Sequence, residues 1–220
     1  MKKPSKMAQP LVYHFDKPAK DRIIDAADKV YRIFGIRAGI RTIAHKAHSN
    51  VETVTKYFGN GDRLVRRYVS SLIAECQQSW REIEGKYRND PEVQLRCWMY
   101  LEQEKADDRF RPEVLLSRTA AELHVQHPLL TGIEQYWRTE RLRLMQLCDA
   151  AGFKEPNDLG DKLLLLVQGA RNERGAYGGS PPSRLLHQVG DDLMVAHGGS
   201  RKPLLTWESM GDWEALPKHG

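Results

Sequence analysis

Cysteine is scarce in this chain, and Cys76, Cys97 and Cys148 lie far apart in the sequence. Three isolated cysteines predict neither a disulfide framework nor a paired thiolate metal site, so we expect buried thiols in a reducing compartment. No apolar run approaches the roughly 20 residues that a transmembrane helix needs. Residues 1–10 are Lys-rich and polar, so we expect no signal peptide. These absences predict a cytoplasmic protein with no membrane partner.

Signatures of catalysis are also missing. The sequence has no phosphate-binding glycine loop, no nucleophile elbow and no His-Glu-x-x-His zinc motif, and the glycine-rich stretch 175–179 precedes two prolines and predicts a connector. Apolar residues show neither the alternation of strands nor a repeat of about 30 to 50 residues. We therefore expect an all-α protein that is not an enzyme, with no catalytic residue, no metal and no cofactor.

The most specific pattern in the chain lies between Lys20 and Tyr68. A first amphipathic helix ends at Gly35, because glycine reaches positive φ without a steric penalty. A short second stripe stops at residues 48–50, where Ser49 or Asn50 can cap a third helix. Such short helices must pack on the first one, as in a helix-turn-helix. The apolar positions are Ile23, Ala27, Val30, Tyr31 and Phe34, then Ile40, Ile43, Ala44 and Ala47, then Val51, Val54 and Phe58.

The outward side of the third helix carries hydroxyl groups, a carboxylate and a lysine, which can donate, accept and contact phosphate. This composition is typical of a helix that enters the major groove of DNA. We therefore predict DNA contacts from the second and third helices, through Arg41, Thr42, Lys46, Glu52, Thr53, Thr55, Lys56 and Tyr57.

Positive charge is concentrated in the same part of the chain. Residues 1–68 hold 15 Lys and Arg against 6 Asp and Glu, a net charge of +9, whereas residues 69–220 carry a net charge of −4. A basic surplus alone is equally compatible with a solvated surface. Its coincidence with the helix-turn-helix pattern favours a polyanionic partner, double-stranded DNA.

Together these residues resemble the DNA-binding domain of the tetracycline-repressor (TetR) family over the first third of the chain. His48 stands where the family usually has a turn glycine, Thr55 where tyrosine is common, Gly61 where a lysine often touches phosphate, and Gly39 at the cap of the second helix. The resemblance implies an N-terminal three-helix DNA-binding domain and a larger C-terminal helical domain for ligand binding and dimerisation. Its motifs are residues 23–27, Phe34-Gly35, residues 43–47, Thr53-Val54, Tyr57-Phe58 and residues 62–64.

Two helices near the C-terminus predict self-association. The helix from Asp158 to about Tyr177 is apolar around more than one face, and the next runs from about Pro182 to His197. One face closes the domain's own core; the other is most simply covered by the same helix of a second copy, although a helix buried within a monomer is the alternative. The resemblance also implies this four-helix bundle. The predicted interface residues are Leu164, Leu165, Leu186, Val189 and Leu193.

Between Tyr68 and that bundle the sequence predicts further helices, with Pro91, Pro112 and Pro128 in first turns. The resemblance implies that these helices surround a cavity for a small-molecule effector. Aromatic and Met side chains suit an apolar ligand, although each such residue more often belongs to a plain core. The candidate ligand-binding residues are Trp98, Met99, Leu115, Thr119, Leu123, Trp137 and Leu144.

A metal site at Glu122, His124 and His127 is a weaker alternative. Glu122 projects roughly 200° away from His124 on a helix, and His127 precedes Pro128, where it better serves the helix junction. His45 and His48 have similar spacing, but within the helix-turn-helix they are better read as phosphate contacts or exposed residues.

The sequence thus predicts four segments: a basic arm at 1–17, a DNA-binding domain at 18–64, a ligand-binding and dimerisation domain at 65–197 and a tail at 198–220. The tail contains Trp207 and Trp213, and the sequence does not show whether they pack on the body. We expect a homodimeric transcriptional repressor that a small-molecule effector releases from a palindromic operator. A helical ligand-handling or metal-dependent enzyme and a non-specific nucleoid binder are the alternatives.

Overall fold

The computed structural model describes residues 17–106, 108–172 and 182–203. These residues form nine α-helices, a 3₁₀ turn at Pro182–Leu185 and no β-strand, which confirms the all-α fold class. The basic arm before Lys17, the connector 175–179 and the tail after Pro203, with Trp207 and Trp213, lie outside the described residues. The helices are α1 Ala19–Phe34, α2 Ile40–Lys46, α3 Val51–Phe58, α4 Asp62–Lys86, α5 Pro91–Glu104, α6 Pro112–Glu122, α7 Pro128–Ala150, α8 Pro156–Arg171 and α9 Leu186–Ala196.

The chain divides into two compact units, residues 1–64 and 65–220, and α4 begins in the first and continues into the second. In the first unit α1, α2 and α3 enclose a small core built from the predicted apolar positions. Phe34 and Val51 are exceptions, with 68% and 38% of their surfaces exposed. Ile40 is half-buried. The core residues are Ile23, Ala27, Val30, Tyr31, Ile43, Ala44, Ala47, Val54, Phe58 and Leu64.

The predicted ends of the short helices are confirmed. Gly35 ends α1 at φ 81°, and its N–H donates to the Tyr31 carbonyl over 2.9 Å. Of the two capping candidates for α3, Asn50 is the one used, because its Oδ1 accepts from the Thr53 N–H at 2.7 Å. These local contacts satisfy backbone groups that a short helix leaves open.

The second unit is built around α5, in which every residue from Gln94 to Glu102 is buried. Its neighbours α7, α8 and α9 cover it on several sides. As predicted, Pro91, Pro112 and Pro128 lie in first turns, and Pro156 starts α8 in the same way. The core contains Trp80, Ile83, Leu95, Cys97, Trp98, Met99, Tyr100, Leu101, Leu144, Cys148, Phe153, Leu159, Leu163, Val167, Ala170, Leu186 and Met194.

The two C-terminal helices differ from the prediction at their ends. α8 begins at Pro156, two residues before the predicted start, and ends at Arg171, whereas the predicted end near Tyr177 lies outside the described residues. The predicted helix from Pro182 begins as a 3₁₀ turn and becomes α-helical at Leu186.

All three cysteines are free and buried, which confirms the prediction of isolated thiols. Burial raises the pKa of the Cys97 and Cys148 thiols to about 12 and the pKa of Cys76 well above its usual value. Among the described residues, no helix has the length and apolar character needed to cross a membrane.

Candidate functional site

The turn between α2 and α3 ends the second helix with a residue in the left-handed conformation. His48 has φ 49°; its N–H donates to the His45 carbonyl at 3.1 Å, and the Ser49 N–H donates to the Ala44 carbonyl at 2.9 Å. These two bonds form a Schellman motif, in which the left-handed position is usually glycine. The chain therefore keeps the turn geometry of a helix-turn-helix with a histidine in a sterically unfavourable conformation.

Arg22 of α1 fixes the end of α2. Its Nε donates to the Ala47 carbonyl at 3.2 Å, and its Nη1 donates to the Lys17 carbonyl at 2.9 Å. The guanidinium thus joins the segment before α1 to the turn before α3. Sequence reasoning did not single out this residue, since an arginine near a helix start carries no signal for so distant a partner.

The eight predicted DNA-binding residues lie on the surface of one unit. Val54 and Phe58 lie one turn apart on α3 and face the core of the first unit. The opposite side of the helix faces outward. Thr53 is half-buried, and Tyr57 is 40% exposed. The other exposed members are Arg41, Thr42 and Lys46 on α2 and Glu52, Thr55 and Lys56 on α3. The structure therefore places these residues together, and their contact with DNA stays a prediction.

Two further cations of the same unit are paired. Lys17 forms an ion pair with Asp25 at 2.7 Å; this hydrogen bond and the charge of Asp25 raise the lysine's pKa. Arg32 pairs with Asp28 at 2.9 Å. His45 and His48 are exposed, and their contact with phosphate stays a prediction.

The candidate ligand-binding residues fall into three groups. Trp98, Met99 and Leu144 belong to the core of the second unit, where Trp98 stacks on Trp80 with ring centroids 5.7 Å apart. Leu115 and Thr119 are buried on α6, and the Thr119 hydroxyl donates to the Leu115 carbonyl. The remaining two, Leu123 and Trp137, are half-buried. That these seven residues bind a ligand stays a prediction.

A cluster of buried charges is the main feature that sequence reasoning missed. We call Glu102, Arg111, Glu113, Glu140 and Arg171 the buried charge cluster; they come from α5, the start of α6, α7 and α8. Arg171 Nη2 donates to Glu102 Oε1 at 2.8 Å and to Glu140 Oε1 at 3.0 Å. Arg111 also pairs with Glu102, and its Nε lies 3.3 Å from Glu113 Oε2.

Electrostatics within the buried charge cluster keep Glu102 ionised. Burial opposes its negative charge, but Arg111 and Arg171 outweigh that effect and lower the pKa of Glu102 to about 2. Beside the cluster, burial raises the pKa of the Tyr136 hydroxyl and the Cys76 thiol, so both stay neutral. One signal was available in the sequence: Glu140 occupies an inward position on α7, between Ile133 and Leu144.

Two of the five residues of the predicted dimer face are exposed. Leu165 of α8 is 76% exposed, and Val189 of α9 is 37% exposed. Leu164 and Leu193 are half-buried. Leu186 is only 2% exposed and belongs to the chain's own core, so it offers little surface to a second copy.

The histidines near α7 serve the helix junction. His127 Nδ1 accepts from the Leu129 N–H at 3.2 Å and so caps α7, and the His124 ring lies 5.1 Å from the His127 ring. A different cluster of possible metal ligands consists of Glu155, Asp158 and His197. Lys162 Nζ lies 2.5 Å from Asp158 Oδ2 and 3.4 Å from His197 Nε2, so an ammonium group already supplies the positive charge there.

Comparison with known proteins identifies the architecture. No protein-family model and no curated protein sequence matches this chain. A TetR transcription regulator from Haloarcula marismortui superimposes with a TM-score of 0.60 at 18% identity, over 81% of this chain and 97% of that one. SmeT, the repressor of the Stenotrophomonas maltophilia multidrug efflux pump SmeDEF, gives a TM-score of 0.58 at 16% identity, over 86% and 98%.

A third solved structure is the multidrug binding protein EbrR in complex with ethidium, with a TM-score of 0.55 and 18% identity, over 81% of this chain and 99% of that chain. All three matches include nearly the whole length of the known protein, so they extend well beyond the helix-turn-helix. The protein therefore has the fold of the TetR family of transcriptional regulators.

Proposed function

We propose that this protein is a sequence-specific transcriptional regulator, a homodimeric repressor that leaves a palindromic operator when a small molecule binds its larger unit. The observation that carries the proposal is the combination of the α2–turn–α3 geometry with the polar, basic outer face of those helices. Val54 and Phe58 anchor α3 to the core and leave Glu52, Thr55 and Lys56 exposed. Groups of this kind position a helix on phosphates and read base edges.

The α2 residues support the same mode of docking. Arg41, Thr42 and Lys46 are exposed on the helix that precedes the turn. In a helix-turn-helix the first helix crosses the phosphate backbone while the second enters the groove. We therefore assign α2 to phosphate contacts and the exposed side of α3 to base recognition.

Dimerisation follows from the uncovered part of α8 and α9. Leu165 is 76% exposed although the same helix contributes Leu159, Leu163 and Val167 to the core. A second copy covers such a face in a closed, twofold arrangement. Two recognition helices related by a twofold axis match two half-sites about one helical turn, 34–36 Å, apart.

Effector control requires that the ligand favours one spacing of the two recognition helices over another. A ligand that prefers the conformation with mismatched spacing shifts the population away from the DNA-bound form. Reciprocity then requires that operator DNA weakens ligand binding by the same factor by which the ligand weakens DNA binding.

The central test is selection of genomic fragments by the purified protein, followed by affinity measurements on the selected sequence across a range of salt concentrations. We expect one palindromic sequence to outcompete random DNA. Equal competition by random DNA would favour the non-specific nucleoid binder, and no DNA binding at low salt would contradict the proposal. The solved structures with a similar fold are regulators rather than enzymes. For the alternative of a metal-dependent enzyme, we expect no turnover when metals are added.

Two variants test the assignment of α3. Lys56→Ala should weaken binding to all duplexes and reduce the salt slope by about one unit per protomer, since one phosphate contact is lost. Thr53→Ala should instead change which base pair is preferred at one position in each half-site. The matched control is Lys154→Ala, an exposed lysine of the second unit, which should leave both properties unchanged. Unchanged operator affinity in Lys56→Ala would refute this docking geometry.

A further inference from the structure

The chain turns tightly as it leaves α9. Gly198 lies at φ 93°, and the Gly199 N–H donates to the Met194 carbonyl at 3.0 Å. A Cβ atom on Gly199 would lie 2.6 Å from Phe153 Cε1 and 2.9 Å from the Met194 carbonyl oxygen, so only glycine fits there. This turn fixes the direction of the short segment that follows. We call residues 198–203 the C-terminal strap.

The C-terminal strap is bonded to α5. The Ser200 carbonyl accepts from Arg96 Nη2 at 3.0 Å, and Lys202 Nζ lies 2.8 Å from Glu92 Oε2. Arg96 is itself buried and pairs with Glu92 at 2.8 Å. These two contacts join residues 104 and 110 positions apart, so they depend on the packing of the unit and not on local sequence.

The C-terminal strap is also bonded to α9. Arg201 Nη2 donates to Asp192 Oδ1 at 2.6 Å, and its Nη1 lies 3.5 Å from Asp191 Oδ2. Asp191 is only 1% exposed and pairs with Arg96 of α5. The strap therefore contacts both members of a buried ion pair that joins α5 to α9.

The two helices alone do not balance the charges at this junction. Three carboxylates meet there, and the helices supply a single guanidinium to pair with them, whereas the C-terminal strap supplies two further cations. Burial opposes the negative charge of Glu92, but its hydrogen bonds to Lys202 and Arg96 outweigh that effect and lower its pKa. The carboxylates are Glu92, Asp191 and Asp192, and the cations are Arg96, Arg201 and Lys202.

The position of α9 matters because this helix carries part of the predicted dimer face. Val189 and Leu193 belong to that face, and Asp192, which pairs with the C-terminal strap, immediately precedes Leu193. A contact that fixes Asp192 therefore also fixes Leu193.

We propose that the C-terminal strap is an electrostatic latch: Arg201 and Lys202 hold α9 against α5, and the held position of α9 presents the dimer face to a second copy. The second part of this inference rests on the proposed function. The side chains of Arg201 and Lys202 are 64% and 37% exposed, so dissolved salt screens their ion pairs. The latch therefore weakens as ionic strength rises.

The first test measures hydrogen exchange of the α9 amides in the full-length double variant Arg201→Gln/Lys202→Gln. At low salt these amides should exchange roughly two- to thirtyfold faster than in the wild type, the range expected when two partly exposed ion pairs are lost. Between about 0.01 and 1 M salt the screening length falls from about 30 to 3 Å, so exchange in the wild type should approach that in the variant. Equal exchange rates at low salt would overturn the proposal.

The matched control is Arg88→Gln/Arg138→Gln, which removes two exposed guanidiniums from the same unit and changes the net charge equally. Its α9 amides should exchange as in the wild type. Faster exchange in this control by the same factor would show an effect of net charge and overturn the latch.

The second test reverses the charges of one ion pair. Arg201→Asp and Asp192→Arg should each speed exchange in α9, because each places like charges opposite one another. The variant with both changes should recover most of the lost protection, since the pair forms again in the opposite sense. If the two effects simply add, this pair does not hold α9 and the proposal is wrong.

Sedimentation equilibrium without DNA tests the second part of the inference. Arg201→Gln/Lys202→Gln should weaken self-association, although neither residue belongs to the predicted dimer face. Faster exchange with an unchanged dimer dissociation constant would overturn that part. A monomeric wild type whose α9 exchanges faster in the variant would support the latch and contradict the proposed dimer, whereas a dimeric wild type with unchanged exchange would do the opposite.

Discussion

Leu165→Asp is the sharpest test of the proposed dimer. Leu165 projects from α8 with 76% of its surface exposed, next to the half-buried Leu164. In a twofold bundle formed by α8 and α9, this side chain is buried against the partner. The substitution should therefore affect the stability of the dimer much more than the folding of the protomer.

The size of the effect follows from burial. Burial of one leucine side chain stabilises a complex by about 1.5–3 kcal/mol. A twofold dimer buries two copies of Leu165, so together they stabilise it by about 3–6 kcal/mol. Since each 1.4 kcal/mol changes an equilibrium tenfold, the dimer dissociation constant should rise at least about a hundredfold. The buried carboxylates add further destabilisation of several kcal/mol. Tight operator binding should be lost as well, because a monomer reads one half-site.

Sedimentation equilibrium across micromolar concentrations measures the effect, and circular dichroism reports whether the protomer still folds. Val125→Asp is the control, since Val125 is 92% exposed and lies at the connection between α6 and α7. It should remain dimeric. If Leu165→Asp associates as tightly as the wild type, or if the wild type is a monomer at micromolar concentration, the α8 face is not the interface.

The remaining predictions concern stability and the helix-turn-helix. Arg22→Gln should weaken operator binding at least about tenfold while secondary structure is retained, because the Ala47 carbonyl loses a charged donor; unchanged affinity would exclude a positioning role. His48→Gly should raise the free energy of unfolding by about 0.5–1 kcal/mol in a denaturant titration, since the left-handed conformation costs more for histidine than for glycine; a loss of stability would contradict that reason. Burial and the nearby Arg96 lower the pKa of His187 to about 4 from 6.5, so the unfolded chain binds the proton more tightly, and stability should fall as pH drops from 6.5 toward 4.5. His187→Asn should show a smaller loss of melting temperature over that interval.

The sequence was sufficient for the fold because its local signals agree with one another. Gly35 and Asn50 end and begin helices at the predicted residues, and prolines mark the starts of α5, α6 and α7. Helical periodicity identified the cores of the first three helices. Each of these signals depends on neighbours within one or two turns, which is the range over which sequence patterns are informative.

Contacts between distant residues were not predictable in the same way. Glu102 and Arg171 lie 69 residues apart, and their pairing depends on how α5 and α8 pack. Arg22 and Ala47 lie 25 residues apart. Leu186 is a related case: its periodicity suited an interface, but the residue belongs to the chain's own core. An inward-facing charge such as Glu140 is the one local clue to such pairs, because it interrupts an apolar stripe.

Gly61 and His48 both depart from the TetR pattern, but only Gly61 suits the backbone conformation at its position. Gly61 has φ 103°, and a Cβ atom there would lie 3.2 Å from Ile40 Cγ2. A lysine at this position would be strained, so the phosphate contact that the family often makes there cannot be restored by substitution alone. The exposed cation nearest to it in the first turn of α4 is Arg63. His48, by contrast, adopts a backbone conformation that suits glycine. It is held there by the two hydrogen bonds of the Schellman motif and by the bond from Arg22 to the Ala47 carbonyl, which fix the end of α2. Under the proposed function, recognition by this chain thus depends on an α2 terminus fixed by Arg22 more than on a lysine at the start of α4.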